Sequence, residues 1–207
     1  MAGVFITLEG GEGSGKSCLI EALSSWMASS TLPHIVTREP GGTPVGEKIR
    51  ELFLGANTMG PLTETLLLLA ARVEHVSAIV EPALKRGQIV LCDRYVDSTM
   101  AYQGFGRGMD IEPLWKLATD VVPLLPDLTL YLDVPCDVGF KRVHKRQQER
   151  RDRLEAEELS FHERVRSGFL AMAAKSPSRI VVLDALQDKE TLFLQAQEHI
   201  SRVLYAS

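Results

Sequence analysis

Val4-Phe5-Ile6-Thr7-Leu8-Glu9-Gly10-Gly11-Glu12-Gly13-Ser14-Gly15-Lys16-Ser17 is the stretch that organises the rest of the chain. Val4 to Glu9 is a short, mostly apolar run of the kind that forms a strand, and residues 15–29 carry a helical pattern. Between them, Gly10 to Ser17 satisfies G-x-x-x-x-G-K-[S/T] in full, in the strand–turn–helix context that gives the pattern meaning. Glycines let successive backbone N–H groups turn toward one anion. The helix that follows adds the partial positive charge of its N-terminal end. Lys16 supplies a point charge for β- and γ-phosphates, and the Ser17 hydroxyl supplies a Mg2+ ligand. The stretch therefore predicts binding of a nucleoside triphosphate through Gly10, Gly11, Glu12, Gly13, Ser14, Gly15, Lys16 and Ser17.

Outward from there, short β-rich runs alternate with longer helical patterns. Strands are predicted at His34–Arg38, Gln88–Asp93, Leu128–Asp133 and Arg179–Asp184. Helices are predicted over about 44–54, 62–86, 110–122, 136–147, 157–174 and 188–205, with Gly87 closing the long one. Such alternation implies crossover connections. It predicts an α/β, three-layer P-loop fold: a five-stranded, mostly parallel sheet with helices on both faces. Ligands of these sheets bind at the carboxyl ends of the strands. The run Ile89-Val90-Leu91-Cys92-Asp93 puts Asp93 at such an end, where it is the second predicted Mg2+ ligand, and Arg94 follows directly.

Composition narrows the class. The chain has 207 residues, 23 Lys+Arg against 27 Asp+Glu, and a formal charge of −4. At roughly 150 residues per domain this predicts one domain, 1–207. The mild acidity does not suit a general nucleic-acid binder, which carries a basic excess. Cys18, Cys92 and Cys136 are odd in number and lack C-x-x-C spacing, so neither a disulfide framework nor a zinc site is expected. The N-terminal residues lack the basic start of a leader peptide. The longest apolar run, Leu66 to Ala71, is far short of a membrane span. A cytoplasmic protein with no membrane partner is expected. The N-K-x-D segment of a GTPase is absent, since the sole asparagine, Asn57, precedes Thr58. A small-molecule kinase is the leading class.

A kinase of a phosphorylated acceptor needs cations for a second phosphate. Arg38, Arg50, Arg72 and Arg94 are available, and a guanidinium grips phosphate in two-pronged fashion. Leu68 and Arg72 stand at i and i+4 on one helix face. An apolar group beside a cation suits a nucleobase pocket. The chain resembles the bacterial thymidylate kinases in Leu8 to Ser17, in Thr37-Arg38-Glu39-Pro40-Gly41-Gly42-Thr43, in Ala70-Ala71-Arg72, in Asp93 to Gly104 and in Pro126 to Asp133. The resemblance implies transfer of the γ-phosphoryl of ATP to dTMP, giving dTDP, and a homodimer built on the long helices. It implies that Glu12 lies near the acceptor's 3′-hydroxyl and that Arg38 and Arg94 hold the acceptor phosphate. It implies that Arg72 reads a carbonyl edge of thymine, and that Ser98, Tyr102 and Gln103 wall the pocket. Arg50 is close to a family position, and Glu39 is expected to support the arginines. One departure stands out: the family usually has Phe where this chain has Leu68, which predicts looser thymidylate binding. Two other readings stay open, a broader pyrimidine monophosphate kinase and a non-catalytic nucleotide-gated binding protein.

From Lys141 to Arg153, seven basic side chains face two acidic ones. That is a net +5, so the rest of the chain carries −9. A solvated helix face, a nucleic-acid patch and a phosphate-closing lid all fit a basic run, but no aromatic residues are interleaved for base stacking. The Gly10–Ser17 loop contains no arginine, and in the resembling family such a loop goes with a basic lid. A lid over about 141–156 is therefore expected. It would bring Arg146 or Arg153, with Arg150 and Arg151 as further candidates, to the transferring phosphoryl group.

Overall fold

The computed structural model describes residues 3–55, 58–146, 153–154 and 157–205, with the side chains of 144–146 excepted. Five strands, β1 (Val4–Gly10), β2 (His34–Arg38), β3 (Ile89–Asp93), β4 (Leu128–Asp133) and β5 (Ile180–Asp184), form one sheet in the order β2-β3-β1-β4-β5. Every pairing is parallel. β1, β3 and β4 are mostly apolar and almost wholly buried because both faces of these central strands are covered. The edge strands keep exposed positions, Val36 on β2 and Val182 on β5.

Alternation along β1 divides the core between the two faces. Ile6 and Leu8 pack with Leu19, Leu23 and Met27 of α1 (Lys16–Ser29) and with Ala196 and Ile200 of the C-terminal helix (Lys189–Tyr205). Phe5, on the other face, packs with Val90, Val76, Val80, Met100, Leu114 and Ala118. Its ring meets the edge of Tyr95 at 4.8 Å between centroids. Thr7 and Glu9 point to this second face too, into a buried polar layer. The Thr7 and Thr129 hydroxyls lie 2.8 Å apart, Thr129 donates to Asp97, and Arg179 grips both Asp97 oxygens at 2.7 and 2.8 Å. Burial of these charges is tolerable because each is paired.

After β2 come α2 (Pro44–Gly55) and α3 (Pro61–His75). The helix predicted over 62–86 is continuous in direction but not uniform: α3 loosens into a π-helical stretch at Val76–Val80 and resumes as α4 (Glu81–Lys85). Gly87, at φ +73°, closes it as expected. Beyond β3 lies an element the sequence pattern did not reveal: α5 (Val96–Thr99) runs into a second π-helical stretch, Met100–Gly106. Its glycines and polar residues hide the helical period. The sequence instead suits packing, since a Cβ on Gly106 would sit 2.6 Å from Phe161, and one on Gly168 would sit 2.6 Å from Phe105. α6 (Ile111–Val121), α7 (Cys136–Arg146), α8 (Leu159–Lys175) and α9 (Lys189–Tyr205) complete the described elements. Of the basic arm expected at 141–156, residues 141–146 continue α7; residues 147–152, with Arg150 and Arg151, and 155–156 lie outside the described residues, as does the Arg146 side chain.

β1 pairs with β3 on one side and β4 on the other, so the Gly10–Ser17 loop opens where the sheet's connections diverge. Gly13 is required there twice over. Its φ is +68°, and a Cβ would lie 2.2 Å from the Gly139 carbonyl oxygen. Gly139 returns the constraint, with a Cβ site 2.3 Å from the Glu12 carbonyl oxygen. The loop and the start of α7 are thus in backbone contact.

Candidate active site

A cleft of about 360 Å³ opens at the carboxyl ends of β1 and β3, lined from Glu12 to Ser17 at one end and by Arg72, Leu68 and Gln103 at the other. At the first end, Lys16 Nζ donates to the loop's own carbonyls, Gly10 O at 2.9 Å and Gly11 O at 3.4 Å. Burial, and then Arg94, lower its pKa from the ordinary lysine value. Ser17 heads α1 on the cleft wall. Asp93 also lines the cleft, and its buried Oδ1 has no hydrogen-bond partner among the described residues. Ser14 Oγ is orphaned in the same way.

Arg94 bridges the two ends. Its backbone sits at φ +69°, a left-handed conformation that a non-glycine residue holds only when its surroundings fix it. Its N–H donates to Leu8 O at 3.0 Å. The guanidinium donates to Glu12 Oε1 at 2.9 Å, to Tyr102 Oη at 3.1 Å and to Ser98 Oγ at 3.4 Å, and lies over the Tyr102 ring. Burial alone would lower the Arg94 pKa, but Tyr102, Glu12, Asp93 and Glu9 outweigh it and raise it, so a permanent cation faces the cleft. Burial likewise pushes the Glu12 carboxyl up, and Arg94 and Lys16 more than reverse this, leaving it below the usual carboxylate range.

At the far end Arg72, which lines the cleft, is almost fully buried, at 3% exposure. Its Nε donates to Glu39 Oε2 at 2.8 Å and its Nη2 to Thr99 Oγ1 at 2.9 Å, while Nη1 is buried without a partner among the described residues. The plane rests on Tyr95, 4.8 Å from the ring centroid. Glu39 is held in turn: its Oε1 lies 2.9 Å from His75 Nδ1, and His75 Nε2 lies 2.7 Å from Thr37 Oγ1. A carboxylate only accepts, so Nδ1 carries a proton toward Glu39. Glu39 therefore supports Arg72, as the sequence suggested for the arginines generally. Gln103 turns its Nε2 to Glu64 Oε2 at 2.9 Å, and its Oε1 is buried with no partner among the described residues. Arg50 lines the cleft and donates to Pro40 O at 3.0 Å.

Two expected residues stand elsewhere. Arg38 does not line the cleft. Its side chain is half exposed and forks onto Glu47, because α2 offers that carboxylate one turn after the Gly41–Gly42 bend. Arg153 does not face the Gly10–Ser17 loop in this arrangement. It is shut into the wall at the base end, ion-paired with Glu64, donating to Phe53 O at 3.2 Å and lying over the Phe53 ring. The buried Glu64 carboxylate, a carbonyl and an aromatic face together out-compete open solvent for that guanidinium.

Several contributors were not singled out from the sequence. Arg142, counted there only as one of the arm's cations, lines the cleft and ties Gly13 O (3.2 Å) to Ala185 O (3.0 Å). Phe53 lines it from α2. Glu9, buried beneath Arg94, accepts from the Tyr95 N–H at 2.7 Å and from Ser98 Oγ at 2.5 Å. A lone acid ending an apolar strand was the available signal. Glu64 stands eight residues before Arg72, so Glu64, Leu68 and Arg72 share one helix face; that spacing could have found it.

A phosphate loop at one end of the cleft and an arginine-lined second pocket at the other define a P-loop kinase of phosphorylated small molecules. A sequence model of the family described as "Thymidylate kinase" matches residues 8–195. The thymidylate kinase of Marinomonas sp. is 45% identical over 206 residues, covering 98% of this chain and 96% of its own length. That of Methylococcus capsulatus is 50% identical over 188 residues, 88% of each chain. The crystal structure of thymidylate kinase from Ehrlichia chaffeensis superposes with a TM-score of 0.77 at 32% identity, covering 97% of this chain and 99% of that one. The chain belongs to the thymidylate kinase family.

Proposed function

We propose that the cleft binds ATP at Gly10–Ser17 and dTMP at its far end, and passes the γ-phosphoryl from one to the other to give ADP and dTDP. One observation carries the choice of acceptor. The far wall presents a buried donor, Arg72 Nη1, and a buried acceptor, Gln103 Oε1, neither with a partner among the described residues. A thymine ring offers the complement: its 4-carbonyl accepts and its adjacent N3–H donates. Cytosine reverses both groups and would leave buried polar atoms unpaired, which is costly.

The reaction needs no protein nucleophile, because an acceptor phosphate oxygen attacks the γ-phosphorus directly while the bond to the β-phosphate oxygen breaks. Catalysis is then positioning and charge. Lys16 and the loop amides hold the donor's phosphates. Arg94 holds the acceptor phosphate, with Arg50 alongside and Arg38 recruited from Glu47. Glu12, fixed by Arg94, takes the acceptor's 3′-hydroxyl, and Ser98 and Tyr102 wall the sugar. Ser17 and Asp93 would hold Mg2+; the orphaned, buried Asp93 Oδ1 supports that fit, and the ion when bound would neutralise charge on the β- and γ-phosphates. Among the described residues no cluster of three or more acidic, His or Cys groups forms a separate metal site. Arg142 lines the ATP side of the cleft, tied to Gly13 O.

We place the protein in the cytoplasm as a homodimer, the three free cysteines suiting a reducing compartment. Leu62, Leu66 and Val73 are each more than two-fifths exposed on α3 at i, i+4 and i+11, an apolar stripe that suits a second copy. Among the described residues no helix is long and apolar enough to cross a membrane. An ADP-release assay over dTMP, dUMP, dCMP and purine monophosphates tests the reading. Turnover should be confined to thymine and uracil acceptors, and equal turnover of dCMP would overturn it.

A further inference from the structure

We propose that Glu64 is the positioning residue that sets base selectivity, by fixing which end of the Gln103 side-chain amide faces the acceptor pocket. The inference rests on the dTMP reading above. A glutamine amide is a donor at one end and an acceptor at the other, nearly equal in shape, and only its neighbours decide which way it points. Glu64 is fully buried in the first turn of α3 and lies 2.9 Å from that amide. A carboxylate cannot donate, so the amide nitrogen must face it, and the amide oxygen is left as the free polar atom of a cleft-lining residue. The carboxylate holds Gln103 as an acceptor for the base.

The rest of the Glu64 environment keeps the carboxylate in place. Arg107 reaches Oε1 at 3.1 Å and Oε2 at 3.4 Å, and is anchored by Glu157 at 2.6 Å and by the Phe161 ring. Arg153, at the far flank of the basic arm, pairs with Oε1. Two guanidiniums and one amide N–H thus converge on a single buried anion. None of the three partners accepts a hydrogen bond at the contact, so no arrangement of this cluster lets Gln103 present its nitrogen to the pocket without opposing oxygen to oxygen. Base reading and the flank of the arm share one carboxylate.

The test is the ratio of kcat/KM for dTMP to that for dCMP in wild type, Glu64→Gln and Glu64→Asp. Glutamine at 64 both donates and accepts, so Gln103 is free to turn either way. The dTMP/dCMP ratio should fall by roughly tenfold or more, through loss on dTMP with dCMP unchanged or improved. Aspartate keeps the charge for Arg107 and Arg153 but withdraws the acceptor by one methylene. It should lower the ratio in the same direction by less, and it keeps the test alive if the glutamine variant does not fold. A purely structural role would depress both substrates in proportion, and an unchanged ratio in the folded variants would overturn the proposal. A wild type that shows no preference for dTMP would overturn the underlying acceptor reading instead, whatever the variants do.

Discussion

Arg38 and Glu47 form a two-pronged ion pair, with Arg38 Nη2 at 2.9 and 2.8 Å from the two carboxylate oxygens. Both side chains are about half exposed, and an exposed pair of this kind is worth only ~0–1 kcal/mol. A phosphate dianion entering the cleft can therefore take Arg38 from Glu47 at little cost. Arg38→Ala should raise the dTMP KM by roughly tenfold, the loss of one charge-assisted contact. Glu47→Ala should leave kcat within about threefold and should not raise that KM. Steady-state kinetics of the two variants checks both, and an Arg38→Ala enzyme with an unchanged KM would leave Arg38 a surface residue.

Leu68 and Phe53 both line the cleft, from α3 and α2 respectively. The family usually has an aromatic ring at the Leu68 position, and here the ring on this wall comes from α2 and carries Arg153 on its face. Stacking contributes ~0.5–1.5 kcal/mol beyond buried area. Leu68→Phe should lower the dTMP KM by roughly two- to tenfold with kcat little changed. A KM that stays the same or rises would show that the Phe53 side already fills the space.

The strands and the phosphate loop were legible because their information is local: a strand buried on both faces has to be mostly apolar, and Gly10 to Ser17 encodes its own backbone shape. Arg94 and Arg72 stood out as cations at the end of, or inside, apolar runs, and Glu39 as a carboxylate expected to support the arginines. What pairs with what was not. Glu39 supports Arg72 rather than Arg38 because His75, thirty-six residues away, closes the far side of the carboxylate. The Val96–Gly106 helix was hidden because its glycines serve tertiary packing, Gly106 against Phe161 of α8 and Gly104 against Ile111 of α6, a cause with no local period. The destination of Arg153 depended on Glu64, and a single acid in the first turn of a helix ordinarily reads as a favourable dipole partner.

Arg153 is enclosed by Glu64, Phe53 O and the Phe53 ring, and is absent from the cleft lining. In that position its loss loosens the base end rather than the phosphates. Arg153→Ala should raise the dTMP KM severalfold and lower kcat by less than about threefold. The opposite split, a large loss of kcat with KM unchanged, would show that Arg153 leaves Glu64 and reaches the transferring phosphoryl group in the working enzyme.

Glu9 is fully buried under Arg94, and burial first, then the neighbouring Asp97, push its carboxyl up from 4.5 to about 8. Between those values the folded protein binds a proton that the unfolded chain releases, so unfolding free energy falls as pH rises. The contribution is whole below about pH 4.5 and is lost as pH passes through about 8. The scale is a few kcal/mol. Glu12 and Asp133 have lowered pKa values and add stability that is lost only on the acid side, so they leave this window alone. Burial of His162 lowers its pKa and gives a slope of the opposite sign, present in both proteins of a matched pair. Urea midpoints of wild type and Glu9→Gln, measured from pH 5 to 8.5, should therefore diverge. The variant keeps an amide oxygen to accept from Tyr95 N–H and turns its amide nitrogen to Ser98 Oγ, but it has no proton to lose, so wild type should weaken with pH relative to it. Parallel pH curves would mean that Glu9 is already ionised in the folded protein, with Arg94 and Ser98 outweighing its burial.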